Sequence, residues 1–266
     1  MEEVGGTLVK HYRDLAFMGF TEVVMNLRTI LNNIRFCKKD ILEYHPEVLI
    51  LVDYPGFNLR IAEFAKKKGF AVHYYISPQI WAWKENRIKK IKRDIDYMYV
   101  ILPFEKDFYE DKHEYPVDFV GHPLLDAIAN RVPVSLENFS KENQLSDRPV
   151  IAVLPGSRKQ EITKMLSVML KMVSKFPDHQ FVIAGAPSQD KAFYDSFIED
   201  DNVALVQNKT YDLLSVASAA MVTSGTATLE TALFKVPEVV CYKGGEISYQ
   251  IGKRLVNVKY ISLVNL

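Results

Sequence analysis

A chain of 266 residues with 48% apolar side chains is long enough to fill one large core or two moderate ones, which excludes global disorder. Thirty-three basic residues offset thirty-three acidic ones, so no net field draws the molecule toward nucleic acid or an anionic surface, and any such attraction has to be local. Cys37 and Cys241 are too few and too scattered for a disulfide framework or a cysteine metal site; they fit a reducing compartment and read as small buried hydrophobes. No run approaches the length of a membrane-spanning helix and the acidic start MEEVGG is no signal peptide, so a membrane would be met from the side.

The first long periodic stretch is FMGFTEVVMNLRTILNNIRFCKK. Val23, Leu27, Ile30 and Ile34 recur at helical spacing, joined by Val24 and Leu31, and Arg28, Arg35, Lys38 and Lys39 add positive charge. This pattern suits an interfacial helix, and burial against a sheet gives the same periodicity. Short apolar runs then alternate with helical stretches: VLILVD (48–53), VHYYIS (72–77), YMYVILP (97–103) and VDFVG (117–121) as strands, with LRIAEFAKKKG and WKENRIKKIKRDI as helices. Such alternation predicts a parallel sheet covered by helices.

Asp53 ends a buried strand, where an acid must face solvent, be paired, or be functional. Downstream, Tyr74, Tyr75, Trp81 and Trp83 surround a Ser-Pro turn; with Gln79 and Arg87 they can line a sugar or headgroup site, or pack the following helix. KENRIKKIKR (84–93) holds six basic residues against one acidic, a local excess that fits lipid phosphates or a solvated helix face. Asp94 and Asp96 lie on this basic segment and read as a salt-bridging helix end, and the six histidines are widely spaced, so no metal site is expected.

Residues 130–149 lose periodicity and read as a linker between a first domain, 1–129, and a second, 150–266. The second repeats the strand-helix pattern as VIAVLP, FVIAGA, VALVQ, AAMVTSG and VPEVVCY. In LPGSRKQEI, Gly156 makes a tight turn and Ser157 is expected to cap the next helix with Gln160 completing a capping box. Its free N–H groups and Arg158 suit a phosphate. Ser224, Gly225 and Thr226 form a second turn, with Glu230 placed on the next helix to meet ribose hydroxyls. Neither turn is a P-loop, since the Gly-Lys-Ser/Thr ending is missing, but two turns at successive strand ends of one sheet mark a nucleotide crevice.

The ordered series MGFTEV, LVDYPGFN, YYISPQIWAWKENRIKKI, LPFEKDFY, VGHPLLD, LPGSRKQEI, TSGTATLE and KRLVNVKYISLVN resembles the bacterial lipid-A-disaccharide synthases across essentially the whole chain. The resemblance implies a GT-B type α/β fold of two facing Rossmann-like domains with mostly parallel sheets. It implies an inverting, metal-independent glycosyltransferase without a cofactor. Such an enzyme joins UDP-2,3-diacylglucosamine to the 6-hydroxyl of 2,3-diacylglucosamine 1-phosphate, peripherally on the cytoplasmic face of the inner membrane, and has no nucleic-acid partner. The first domain then takes the acceptor and the membrane side, the second the UDP-sugar. Asp53 is the base, Asn265 lies in the active cleft, and Arg158 with Ser224, Gly225 and Thr226 meets the donor phosphates. By the same resemblance the chain is a piece lacking a glycine-rich loop before residue 1 and a segment after residue 266. Those parts belong to the catalytic centre and to homodimer formation, so low activity is expected of this piece. Open alternatives are another UDP-sugar enzyme of the same architecture, an epimerase or a lipid-linked peptidoglycan glycosyltransferase, and a noncatalytic nucleotide-binding module.

Overall fold

The computed structural model describes residues 2–11 and 27–243. The chain divides into two compact units between His122 and Pro123.

In the first unit, helix α1 (Leu27–Tyr44) leads into β1 (Val48–Val52), α2 (Pro55–Lys67), β2 (Ala71–Tyr75), a 3-10 turn at Glu85–Arg87, α3 (Ile88–Asp94), β3 (Tyr97–Val100), α4 (Pro103–Glu110) and β4 (Asp118–Phe119). The four strands pair in parallel in the order β1-β2-β3-β4. Ile61, Ala62 and Ala65 of α2 share a core with Val72, Tyr74, Ile91, Met98 and Val100. The opposite face of the sheet is open among the described residues, with Val48, Ile50, Val52 and Tyr97 all exposed.

Helix α1 divides the expected membrane-facing stripe. Ile34 is 6% exposed and Ile30 packs against the same core, because positions 30, 34, 37 and 41 fall on the face turned to α2. Ile34 is thus a core residue, and Ile30 is half-buried against the same core. Leu27 and Leu31, one turn apart on another line, are exposed, and Val23 and Val24 lie outside the described residues.

A buried carboxylate organises the Ser-Pro turn after β2. Glu105, 1% exposed, accepts hydrogen bonds from Ser77 Oγ (2.6 Å), Trp81 Nε1 (3.2 Å) and the backbone N–H groups of Ile101 (3.2 Å) and Leu102 (2.9 Å). Two of these donors are orphan N–H groups at the start of α4, where a negative charge is favoured. The other two tie the SPQIWAW loop to that helix. By contrast, exposed i,i+4 pairs such as Lys39 with Glu43 contribute only about 0.3–0.5 kcal/mol each.

The second unit runs α5 (Pro123–Ala129), α6 (Leu136–Glu142), β5 (Val150–Leu154), α7 (Lys159–Met169) with a 3-10 extension at Leu170–Lys175, β6 (Gln180–Gly185), α8 (Lys191–Asp195), β7 (Val203–Gln207), α9 (Thr210–Val216), β8 (Ala219–Thr223), α10 (Thr226–Leu233) and β9 (Glu238–Cys241). Its five parallel strands stand in the order β7-β6-β5-β8-β9. Val150, Ala152 and Leu154 face one core, Ile151 and Val153 the other, so β5 is buried on both sides. That explains its unbroken apolar run.

The stretch 130–149, read from sequence as a linker, contains a helix. Ser135 Oγ accepts from Asn138 N–H and caps α6, whose Phe139 is fully buried in the second unit's core. The polar residues around it hid a helix that needs only one deep anchor. Gln180 then fastens the end of this stretch, donating to the carbonyls of Ser146 (2.8 Å) and Arg148 (2.6 Å) and accepting from Ser146 N–H (3.0 Å).

Two measurements test this framework. Glu105→Ala should lower the stability of the first unit by about 3 kcal/mol, since it leaves four buried or half-buried donors unpaired. Urea titration followed by tryptophan fluorescence reads this directly, because Trp81 and Trp83, both in the first unit, are the chain's two tryptophans. An unchanged midpoint would reject the anchoring role. On β9, Glu238 has a buried Oε2 without a hydrogen-bond partner, and burial raises its pKa from 4.5 to about 7. The folded chain therefore retains a proton that the unfolded chain releases between those values, and stability falls as pH rises through that window. Glu238→Gln should raise the melting temperature relative to the parent at pH 8 and leave it little changed at pH 4.

Candidate active site

The strand order of the second unit reverses at β5: the chain steps outward through β6 and β7, then crosses back to place β8 on the other side. Ligands of open parallel sheets bind at the carboxyl ends of strands flanking such a switch. A pocket of about 370 Å³ lies there, lined by the turns after β5, β6 and β8. That volume is in the range of small-ligand sites.

After β5, Gly156 takes φ 111°, a conformation that disfavours any residue with a Cβ. The expected Ser157–Gln160 capping box does not form. Arg158 occupies the cap position of α7 and its side chain makes no capping bond there; Glu161 accepts from the Ser157 N–H at 3.2 Å. Its carboxylate lies over Gly156, where an added Cβ would come within 2.7 Å of Glu161 Cδ. A carboxylate thus already occupies the anion-favouring start of this helix.

At the end of β8, Thr223 is buried with an unpartnered Oγ1 at the pocket wall, and Ser224, Gly225 and Thr226 follow it along the lining. Gly225 is extended, at φ 162°, and opens α10; Thr228 Oγ1 donates to its carbonyl. Glu230 sits one turn along α10, where Tyr211 OH donates to its Oε1 at 2.8 Å. Burial first, then the Glu230 charge, push the Tyr211 hydroxyl up to about 12, so it remains a donor at neutral pH.

The structure thus brings Gly156, Ser157, Arg158, Ser224, Gly225, Thr226 and Glu230 to one pocket. Sequence reasoning missed Glu161, Tyr211 and the wall made by Gly185, Ala186 and Pro187. The third strand end carried a signal, since FVIAGAP is a buried strand closing on Gly and Pro. A Cβ at Gly185 would sit 3.1 Å from side-chain atoms of Gln207 and Leu205, so a larger residue there would have to push these neighbours aside.

In the first unit, Asp53 and Tyr54 both adopt left-handed backbone, at φ 46° and 45°. Two bonds hold the Asp53 carbonyl, from Asn58 Nδ2 (2.7 Å) and Tyr74 OH (2.5 Å), while Asp53 itself is exposed and its carboxylate enters no salt bridge among the described residues. Burial holds the Tyr74 phenol well above its ordinary value; the Asp53 charge adds to this and Arg87 opposes it. The two readings of the aromatic segment divide between its tryptophans. Trp81 is an anchor bonded to Glu105 and edge-on to Phe104, while Trp83 is 39% exposed beneath Lys84 and Arg87. Gln79 is exposed. Asp94 pairs with Arg93, and Asp96 with Lys66 and the Val72 N–H. Asn265 lies outside the described residues.

The family model described as Lipid-A-disaccharide synthetase matches residues 1–266. The chain belongs to the lipid-A-disaccharide synthetase family. Among its relatives, the lipid-A-disaccharide synthase of Syntrophus aciditrophicus is 42% identical over 260 residues, covering 95% of this chain and 67% of that protein. The Coxiella burnetii (strain Dugway 5J108-111) lipid-A-disaccharide synthase is 38% identical over 271 residues, covering 100% and 71%. Membership in the lipid-A-disaccharide synthetase family makes the protein a glycosyltransferase of lipid A biosynthesis acting on substrates of the UDP-sugar and lipid A precursor class. The fold is also similar to solved structures: a UDP complex of S. aureus MnaA (TM-score 0.60, 12% identity, 88% of this chain and 68% of that one) and a UDP-GlcNAc 2-epimerase from Neisseria meningitidis bound to UDP-GlcNAc (0.58, 15%, 88% and 68%). At such identities the likeness is one of architecture, the GT-B-like pair of α/β units, and the epimerase alternative gains little from it. Among the described residues no helix is long and apolar enough to cross a membrane.

Gly156→Ala tests the pocket. Backbone strain at φ 111° and the bulk of a Cβ in the turn should weaken UDP binding by about tenfold in calorimetry. Equal affinity in the variant would show that this turn does not meet the nucleotide.

Proposed function

We propose that the protein transfers 2,3-diacylglucosamine from UDP to the 6-hydroxyl of 2,3-diacylglucosamine 1-phosphate, with the second unit binding the UDP moiety and the first the acceptor. Family membership carries this reading; the pocket at the β5/β8 switch supports the nucleotide's place. The diphosphate would meet the Gly156–Arg158 turn, the hydroxyls of Ser224 and Thr226 and the Arg158 guanidinium; the Ser224 N–H is already given to the Cys241 carbonyl. Glu230, held by Tyr211 through one oxygen, keeps the other for the ribose hydroxyls.

Asp53 is the proposed base. As the acceptor oxygen attacks the anomeric carbon from the face opposite UDP, its proton passes to the Asp53 carboxylate. The bond from the anomeric carbon to the phosphate oxygen breaks, its electron pair leaving with UDP and the anomeric centre inverted. Proton removal and neutralisation of the departing diphosphate act mainly in the transition state, where they accelerate most. The exposed carboxylate on a doubly braced carbonyl supports this role. Asn265 is proposed for the same centre on the resemblance. The work would be done peripherally on the cytoplasmic face of the inner membrane, with Leu27 and Leu31 among the exposed apolar residues of α1.

Asp53→Asn keeps the shape and the left-handed backbone while removing the base. Because the chain spans 67–71% of the two relatives above, transfer is best measured with these 266 residues and with a version extended to the relatives' length. Turnover of the extended protein should fall by about 100-fold or more, with UDP affinity unchanged. Unaltered turnover would remove Asp53 from the chemistry.

A further inference from the structure

The basic segment after the SPQIWAW loop is not uniformly solvated. Most of its neighbours' charges are settled: Glu85 bonds Lys112 (2.7 Å) and His113 (3.0 Å), Arg93 meets Asp94 and Glu63, and Lys66 meets Asp96. Arg60, Lys84, Arg87 and Lys90 are different. They line a cavity of about 360 Å³ together with Asn86 and the start of α2 at Pro55 and Gly56. Among the described residues none of the four enters a salt bridge, and the one acid of the loop is drawn away from them.

Their gathering is enforced by the fold. Lys84 Nζ stands 4.1 Å from the centre of the Trp83 ring and Arg87 Cζ 5.4 Å from it, so one indole supports two cations that repel each other. Lys84 takes left-handed backbone at φ 56°, a conformation that persists only where the surroundings impose it. Burial, then the nearby Arg87 charge, hold the Lys84 ammonium below its ordinary value, and burial lowers Arg87 too, so a bound anion would relieve both. No strongly basic protein is needed for this, since the chain is neutral overall and the charge is local.

We propose that the pocket formed by Arg60, Lys84, Arg87 and Lys90 at the start of α2 binds the phosphomonoester of the acceptor. The proposal rests on the transferase reading above. A fork of two guanidiniums and two ammoniums matches a dianionic phosphate. Pro55 and Gly56 line the pocket and follow Asp53 directly after Tyr54, so the pocket lies close to the proposed base. A sugar fixed by its phosphate there would present its remaining hydroxyls toward Asp53, and the cations would select phosphorylated acceptors over their neutral counterparts.

Glucosamine 1-phosphate and glucosamine are water-soluble probes of this pocket. Calorimetry on the 266-residue chain should detect the phosphate and not the neutral sugar. In the Arg60→Gln/Lys84→Gln double variant affinity should fall by about tenfold for each cation removed. Lys84→Arg should retain binding, and matching near-ultraviolet circular dichroism melts would show that the variants fold. A double variant that still prefers the phosphate over the neutral sugar overturns the proposal. So does one that keeps that preference while losing binding to phosphatidylglycerol vesicles, because the cations would then serve a membrane surface. Phosphate-selective binding lost in the double variant supports the site even if the extended parent protein makes no disaccharide. That last result would reject the transferase reading alone.

Discussion

The buried carboxylate of Glu105 is the constraint from which the functional end of the first unit follows. A charge this deep is tolerated only when its oxygens are satisfied, and the four donors that satisfy it come from three separate places: the Ser-Pro turn, an indole, and the two backbone N–H groups just ahead of α4. Meeting that requirement folds the SPQIWAW loop back onto the sheet. With Ile80 and Trp81 drawn inward, the next residues emerge on the opposite side, and Trp83, Lys84 and Arg87 stand at the surface as a group. Burial of one acid thereby sets where several bases go.

The second unit reaches its site by another route. Its central strands β5 and β6 are buried on both faces, and their one polar side chain, Gln180, is spent on Ser146 and Arg148, so recognition is moved to the carboxyl ends, where turns of small residues line the pocket. Glu161 shows how such an exposed helix start is handled without a ligand: a carboxylate from the helix's own first turn takes the Ser157 N–H. A diphosphate arriving there has to compete with a group of its own charge.

Much of this was legible in the sequence. Short apolar runs ending in Asp, Pro-Gly-Ser and Ser-Gly-Thr gave the parallel strands and the turns that line the pocket, because β-branched runs and glycine-bearing turns are local signals. Other parts depend on contacts between residues far apart in the chain. Helix α6 is anchored by Phe139 in a core drawn from distant strands, the split between Trp81 and Trp83 is decided by an acid over 20 residues away, and Ile30 and Ile34 join the core because α2 lies beside them. Glu161 was hidden for a subtler reason, since the serine ahead of it has the composition of a cap yet leaves that task to another side chain.

The consecutive left-handed residues Asp53 and Tyr54 narrow what can stand at that position over evolutionary time. Short polar side chains tolerate this backbone far better than longer or branched ones. Glutamate would offer the same functional group with one more methylene, and Glu114 at φ 49° shows that this fold can hold one in such a backbone. Backbone geometry therefore adds a preference for aspartate here, on top of whatever reactivity demands, without dictating it.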